Sequence, residues 1–359
     1  MIECEYIIYE VVFLKYGKIV YPRMLASHTN CNLGDICQSI AVDLIYDEMG
    51  ITPDNIIELS VDEINEYKGE RLRLPINGYF RYSRDCPVFP TSSYIDPVFL
   101  AIYCTSNQYL KQKKYWSSMK SIGCRDEITA KAMEKRGYDA FLSGCITMLF
   151  PKRKFIPKSP KVFCVDAHHS IEPFIPKELK KDMVYITHDV KIDPKMDKWE
   201  TIRKCTDLCH KTYNRYRDEA GLVITSRLHC AAPCIAMGIP TIVVKDGFDE
   251  RYAWLDRFVH LYTPKEYKDI DWNPIPPDIE DFKMILMKWA VSRMNGDNDD
   301  TSRKAIEEYY MERVGQKIHT PIQIRAYSWL AQYAPGLAGF IREKLLYRFT
   351  IAGNRNNKN

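Results

Sequence analysis

The sequence lacks the features that mark membrane-spanning and nucleic-acid-binding proteins. Within its 359 residues, no apolar run approaches the roughly 20 residues that a transmembrane helix needs. The formal net charge is only +4 and no run of five Lys or Arg residues occurs, so we expect no nucleic-acid partner. A hydrophobic content of 46% and a charged content of 27% are typical of an ordinary globular protein.

No disulfide or metal framework stands out, although the chain has 12 cysteines. Cys205, Cys209 and His210 could form half of a metal site, but no second pair has zinc-site spacing, so we predict no metal. The N-terminal segment MIECEYIIYEVVFLKYGK favours a strand or hairpin over a signal peptide, because acidic residues interrupt its apolar stretch. We therefore expect a cytoplasmic, reduced protein. Six thiols lie within apolar patterns, where they act as small hydrophobic groups: Cys104, Cys124, Cys145, Cys164, Cys230 and Cys234.

Strands and helices alternate in two series, separated by the basic segment PKRKFIPKSP with its three prolines. Such alternation predicts parallel sheets with helices on both faces, the α/β class. We predict two Rossmann-like domains facing across a cleft, as in GT-B glycosyltransferases, with a C-terminal helical segment. We predict an N-terminal domain over 1–155 and a C-terminal domain over 156–265. Helices over 266–350 would pack across both domains, and a disordered tail would span 351–359.

The first candidate motif is the segment NCNLGDICQ at a loop-to-helix junction. Gly34 allows a tight turn, and Asp35 with Gln38 forms a capping box that predicts a helix over 36–49. A well-capped helix alone would explain this pattern. The functional interpretation places Asn32, Gly34 and Asp35 in a loop of the cleft.

The second motif, GCRDE, lies where a predicted strand ends. Asp126 begins a helix predicted over 126–136, and Glu127 in its first turn complements the helix dipole. Arg125 would project from the carboxyl edge of the sheet toward the cleft. The alternative is a surface arginine paired with a nearby carboxylate.

The third motif, GLVITSRLHCAAPCIAMGIPTIVVK, predicts a strand, a short helix and a second strand. Ser226 would cap a helix over 227–237, which places Arg227 and His229 at its start and Lys245 after the second strand. A helix N-terminus beside a guanidinium and an imidazole is a site for a small anion. The alternatives are a packed helix histidine and a surface ion pair.

Weaker candidates follow another strand of the second series. His168 and His169 come just after a strand predicted over 161–165, at the same sheet edge as the third motif, so they could contact an acceptor substrate bound at that edge. A pair of this kind is more typically one packed and one exposed residue than a ligand pair.

The three motifs together resemble the polysaccharide pyruvyltransferase family, which is similar to GT-B enzymes in fold. The matching pieces are N-x-G-D, R-D-E followed by a helix and a glycine, and S-R-L-H followed by A-x-G-x-P. They occur in the family's order over about residues 27–260. The resemblance implies transfer of the enolpyruvyl unit of phosphoenolpyruvate onto two hydroxyls of a sugar in surface polysaccharide synthesis, such as capsule or exopolysaccharide.

The resemblance also implies roles for particular residues. Arg125 and His229 would meet the phosphoenolpyruvate, with His229 as the proton-transfer residue and Arg227 as support. A third basic residue is expected further along, and either Lys245 or Arg251, sixteen and twenty-two positions past the histidine, could fill this role. Phosphoenolpyruvate is a donor substrate, and no cofactor is implied.

The implied acceptor is a sugar, such as a galactoside, or a lipid-linked oligosaccharide at the inner face of the membrane. A mildly basic amphipathic helix predicted over 338–347 would allow peripheral contact with anionic lipid. Two other functions remain open: a GT-B glycosyltransferase that uses a nucleotide sugar, and a non-catalytic member of the same fold.

Overall fold

The structure is a computed structural model of the 359-residue chain. The predicted helix over 338–347, the predicted tail over 351–359 and most of the N-terminal strand segment lie outside the described part of the chain. Residues 15–21, 30–80, 87–193, 195–313 and 315 are described.

The strands form two parallel sheets and one short antiparallel pair, which confirms the predicted α/β class. The strands are β1 (Lys15–Val20), β2 (Asn30–Asn32), β3 (Ile56–Ser60), β4 (Leu72–Tyr79), β5 (Ile95–Tyr103), β6 (Ile122–Cys124), β7 (Ala140–Leu142), β8 (Lys161–Val165), β9 (Met183–Ile186), β10 (Asp189–Lys191), β11 (Ala220–Thr225), β12 (Thr241–Val244) and β13 (Leu261–Tyr262). The first sheet has the order β3-β1-β4-β5-β6-β7 and the second β13-β12-β11-β8-β9. The division of the chain into two domains stays a prediction.

Helices connect the strands and follow the second sheet. The α-helices are α1 (Leu33–Glu48), α2 (Asn107–Leu110), α3 (Lys113–Trp116), α4 (Glu127–Glu134), α5 (Lys177–Lys180), α6 (Lys198–Glu219), α7 (Leu228–Ala236), α8 (Glu280–Asn295) and α9 (Asp300–Glu312). Short 3-10 turns span Pro53–Asn55, Ile146–Leu149, His169–Phe174, Glu250–Tyr252, Leu255–Arg257 and Pro264–Asp269.

The apolar run over 140–150, which predicts a single strand, is divided in the structure. Strand β7 ends at Leu142, and Gly144 takes a left-handed conformation with φ 72° that glycine adopts at little cost. The buried 3-10 turn Ile146–Leu149 follows. Apolar patterning alone identified a buried segment here but not its conformation.

Helix α1 is a core helix, with 11 of its 16 residues buried. It contacts α6, α7 and α8, and the largest hydrophobic cluster joins its side chains to those of both sheets, including Phe163 and Val223 of the second. The start of α1 is therefore fixed by packing against α7.

A short antiparallel pair ties the segment before α1 to the second series of strands. Strand β2 pairs with β10, with Asn32 opposite Asp189. The backbone N–H of Leu33 also donates to the carbonyl of His188 at 2.9 Å. These bonds hold the first motif beside the second sheet.

The ten described cysteines are all buried, and no disulfide joins any two of them. They include the six thiols predicted to act as small hydrophobic groups, such as Cys124 in β6 and Cys234 in α7. The prediction that these six thiols pack in the interior is confirmed.

Candidate active site

The first motif begins α1 with a different cap from the one predicted. Asn32 is the N-cap, with extended backbone angles, and its Oδ1 accepts from the Gly34 N–H at 3.0 Å. Its Nδ2 donates to Oδ2 of Asp35 at 3.1 Å. The helix starts at Leu33, so Asp35 belongs to the first turn, where its charge complements the helix dipole. The predicted cap at Asp35 is wrong, because Asn32 already binds the free N–H group.

Gly34 lies directly against the third motif. A Cβ atom built at Gly34 would lie 3.2 Å from Cβ of His229 and 3.4 Å from its Nδ1. The same Cβ would lie 3.2 Å from Oδ1 of Asn32. The absence of a side chain therefore lets the N-terminus of α1 approach the imidazole, which brings the first and third motifs together.

Gln38 connects the first motif to the second instead of completing a capping box. Its side chain is fully buried, and its Oε1 accepts from Nη1 of Arg125 at 3.2 Å. Its Nε2 donates to the Gly34 carbonyl at 3.4 Å. Gln38 thus holds the arginine beside the start of α1, a role that sequence analysis missed.

Arg125 is a buried cation that directly follows β6. Arg125 is only 2% exposed, and no carboxylate among the described residues lies within ion-pair distance of its guanidinium. Its Nε is buried without a hydrogen-bond partner among those residues. A buried charge without a counter-charge costs several kcal/mol, so this position favours an anionic ligand.

Asp126, the next residue, caps α4 and does not pair with Arg125. Its Oδ1 accepts from the Thr129 N–H at 2.9 Å, and its Oδ2 accepts from the Thr129 hydroxyl at 3.1 Å. Burial raises the pKa of Asp126 to about 6, against the opposing effect of the Arg125 charge. The turn from β6 into α4 therefore directs the two neighbouring side chains to different partners.

His229 stands in the first turn of α7 and faces Arg125. Its Nε2 lies 3.4 Å from Nη1 of Arg125 and 3.6 Å from Sγ of Cys145. Burial, reinforced by the charges of Arg125 and Arg251, holds the pKa of His229 well below its usual value. The ring is therefore neutral at physiological pH, and Nε2 can accept a hydrogen bond from the guanidinium.

Arg227 is committed to two carboxylates. Its Nε donates to Oδ2 of Asp166 at 2.9 Å, and its Nη2 donates to Oδ2 of Asp189. These two charges outweigh the effect of burial and raise the pKa of Arg227. Arg227 thus ties the start of α7 to the end of β8 and to β10, a bracing position consistent with the supporting role implied by the resemblance.

Ser226 does not cap α7, contrary to the sequence-based prediction. The N-cap residue is Arg227, which makes no side-chain cap bond. The Ser226 hydroxyl instead donates to the carbonyl of Asp166 at 2.5 Å. With no side-chain cap, the first N–H groups of α7 keep their capacity to bind an anion.

The two candidates for the third basic residue differ in their surroundings. Arg251 forms a bidentate pair with Asp249, at 2.8 and 2.6 Å, and its charge reaches His229. Lys245 follows β12, with its Nζ 5.3 Å from the centre of the Tyr252 ring. No carboxylate among the described residues lies within ion-pair distance of Lys245.

Two stacked tyrosines lie between the arginines of the site. Tyr79 and Tyr103 end the neighbouring strands β4 and β5, and their ring centres are 4.5 Å apart. The guanidinium of Arg251 lies 5.3 Å from the centre of Tyr79, and that of Arg125 lies 6.0 Å from the centre of Tyr103. We call these four residues the arginine–tyrosine stack. Sequence analysis missed the tyrosines, although each ends an apolar strand.

The two neighbouring histidines occupy the same edge of the second sheet. Nδ1 of His168 lies 2.8 Å from the Ser170 hydroxyl and 3.0 Å from Oδ2 of Asp246. The rings of His168 and His169 are 4.0 Å apart, with His169 exposed and His168 partly buried, as expected for a non-ligating pair. A role in acceptor binding stays a prediction.

Fold and site together define an α/β protein that presents basic side chains at the carboxyl ends of parallel strands. Residues 101–246 match the sequence model of the polysaccharide pyruvyl transferase family, and the match confirms the family resemblance drawn from the motifs. Arg125, Arg227, His229 and Lys245 lie within the matched region, whereas Arg251 lies outside it. The family indicates a transferase of polysaccharide synthesis.

The similarity to a known structure is lower. No curated protein sequence matches the chain. One solved structure, an uncharacterized protein from Klebsiella pneumoniae, has 15% sequence identity and a TM-score of 0.40, and the alignment covers 66% of this chain and 87% of that protein. Within the described residues, none of the helices has the length and hydropathy to cross a bilayer.

Proposed function

We propose that the protein transfers the enolpyruvyl unit of phosphoenolpyruvate to two hydroxyls of a sugar and forms a pyruvate ketal. The observation that carries the proposal is the contact between Arg125 and His229, in which a buried cation that pairs with no described carboxylate lies beside a neutral imidazole. The family match over 101–246 supports the reaction class.

The donor has a carboxylate and a phosphate, and the candidate site has more than one cation that can bind these groups. Arg125 can bind one anionic group through its planar fork, assisted by the N-terminus of α7. Arg251 is the better candidate for the second group, because its charge acts on His229 and the arginine–tyrosine stack connects it to Arg125. Lys245 would act from further out, beside Tyr252.

The proposed reaction uses His229 as a proton shuttle. The neutral imidazole takes the proton from one sugar hydroxyl and passes it to the methylene carbon of the donor, which makes C2 electrophilic, and the sugar oxygen bonds to C2. Phosphate then leaves from C2. The second hydroxyl attacks C2, its proton goes to phosphate, and the products are the cyclic ketal and inorganic phosphate.

The proposed acceptor is a galactoside, free or carried on a lipid. The loop Asn32–Asp35 and the pair His168 and His169 are the candidate acceptor contacts. Asn32 adjoins Gly34, which lies against His229, and His168 is on the edge that carries Lys245 and Asp246. Both sets are therefore close to the chain segments that hold the proposed donor site.

One assay separates this reaction from the two alternatives. The full-length protein is incubated with phosphoenolpyruvate or UDP-sugars and a panel of galactosides, and phosphate release and acceptor mass are measured. A mass gain equal to pyruvate less one water, with one phosphate released, supports the proposal. A hexose-sized gain from a UDP-sugar would indicate a glycosyltransferase, and no product with any donor would favour a non-catalytic protein.

A further inference from the structure

A second surface, on the other edge of the second sheet from Arg227 and Lys245, combines exposed apolar and basic groups. Residues 151–160, the basic loop, contain four cations and no acidic residue. Phe155 and Ile156 at its centre are 60% and 76% exposed. Isolated exposed apolar residues are common, but two adjacent ones inside a segment whose charged residues are all basic indicate a binding surface.

The basic loop is attached firmly at its base. The Arg153 N–H donates to the carbonyl of Met237 at 3.0 Å, and Nη1 of Arg153 donates to the carbonyl of Ala220 at 2.5 Å. Ala220 begins β11, and Met237 is the C-cap of α7, shortly before β12 begins at Thr241. The loop therefore lies at the amino edge of the second sheet, while Arg227 and Lys245 lie at the carboxyl edge.

A neighbouring loop extends the same surface. Nζ of Lys152 lies 3.6 Å from Oδ1 of Asp278, which places the proline-rich segment over 273–277 beside the basic loop. Ile275 in that segment is 91% exposed. Three exposed apolar side chains thus lie on two loops that the Lys152–Asp278 pair joins. Lys154 and Lys158 of the basic loop are exposed and pair with no described carboxylate.

We propose that the basic loop is a membrane-docking site that inserts Phe155 and Ile156 among the headgroups of anionic lipids. Apolar side chains that enter the headgroup region, flanked by lysines that attract anionic lipid, are the combination by which peripheral proteins bind such membranes. The charge of the loop fits an anionic surface, and its two central apolar side chains fit the boundary between headgroups and acyl chains. The proposal does not depend on the transfer reaction.

Docking in this way would leave the candidate active site facing away from the lipid. The four-residue strand β12, which runs from the docking edge to Lys245, spans roughly 13 Å. The candidate active site would therefore stay above the headgroups, within reach of the sugar portion of an acceptor whose lipid stays in the bilayer.

The test is co-sedimentation of the full-length protein with phosphatidylcholine vesicles, with and without phosphatidylglycerol. We expect binding only with phosphatidylglycerol, and less binding at high salt because Lys charges are screened. Lys154→Ser/Lys158→Ser should weaken binding about fivefold per lysine. Phe155→Ser/Ile156→Ser should weaken it at least about tenfold through lost apolar burial.

Matched controls change equally exposed residues elsewhere. Met311→Ser, at a residue 73% exposed, and Lys180→Ser/Lys181→Ser should bind vesicles like the unmodified protein. Three results would overturn the proposal: no binding to anionic vesicles, loop variants that bind normally, or a self-associating protein that the loop substitutions convert to a monomer. Phosphate release with a water-soluble galactoside should be the same in the loop variants, so docking and transfer are tested separately.

Discussion

Nη1 of Arg125 lies 3.4 Å from Nε2 of His229, although the two residues are 104 positions apart in the chain. The cation disfavours a second positive charge, which is one reason why the pKa of the histidine is low. An anionic donor bound to Arg125 would cancel part of that effect. In the proposed reaction, donor binding would therefore favour proton uptake by His229.

Replacement of His229 by alanine should lower turnover by about 10²–10⁴ through loss of positioned acid–base help. We expect the fold to persist, because the described side-chain contacts of His229 are with Arg125 and Cys145 and are not part of a helix cap. Initial rates of phosphate release and thermal unfolding measure the two effects. His210→Ala, at an exposed position, is the control. A folded His229→Ala protein with full activity would remove the assignment.

Arg125→Met should raise the pKa of His229, because the substitution removes a neighbouring positive charge while it keeps an unbranched side chain. NMR titration of the histidine ring measures this pKa. The KM for phosphoenolpyruvate should also rise. Lys131→Met, on the exposed face of α4, controls for the loss of one charge. An unchanged His229 pKa would show that Arg125 does not act on the ring.

The low pKa of His229 predicts a dependence of stability on pH. The unfolded chain takes up the proton near the ordinary value of 6.5, whereas the folded site resists it. The contribution of His229 to stability is thus present above about pH 6.5 and is lost as the pH falls toward the folded pKa. The free energy of unfolding should fall less steeply over this range in His229→Gln than in the unmodified protein. Urea denaturation at several pH values tests this, and equal slopes would contradict it.

Substitution can decide between the two candidates for the third basic residue. Arg251→Gln should raise the KM for phosphoenolpyruvate more than Lys245→Gln does, because the Arg251 charge acts on His229. Arg251→Gln also leaves Asp249 buried without its partner, so some loss of stability is expected. The double variant Asp249→Asn/Arg251→Gln should recover stability and keep the high KM. A larger increase in KM in Lys245→Gln would instead identify Lys245 as the third basic residue.

Gly34→Ala should lower activity with little change in stability. The added methyl would lie within 3.2–3.4 Å of His229 atoms, so the imidazole must shift by a few tenths of an ångström. The gain in helix propensity, about 1 kcal/mol, offsets part of the cost of this crowding. The measurements are kcat for phosphate release and the free energy of unfolding. Unimpaired kcat would show that the close approach has no functional role.

The α/β class and the segments of the three motifs could be predicted because strand and helix periodicity is local. The contacts made by Gln38 could not, because its sequence position fits a capping box and its Arg125 partner is 87 residues away. The two tyrosines of the arginine–tyrosine stack escaped prediction for the same reason. The N-cap of α1 was assigned to Asp35 and not to Asn32 because Asn30, Asn32 and Asp35, all suitable capping residues, stand close together. In the structure β2 pairs with β10 up to Asn32, and the helix begins directly after it.

The pairing of β2 with β10 limits how the candidate active site can move. The strand that delivers Asn32 to the head of α1 is hydrogen-bonded to the strand that carries Asp189, a partner of Arg227. A hinge rotation of one sheet against the other would have to break this ladder. The spacing between Arg125 and His229 is therefore preorganised, and the entropy of bringing the two groups together is lost during folding and not in each catalytic cycle.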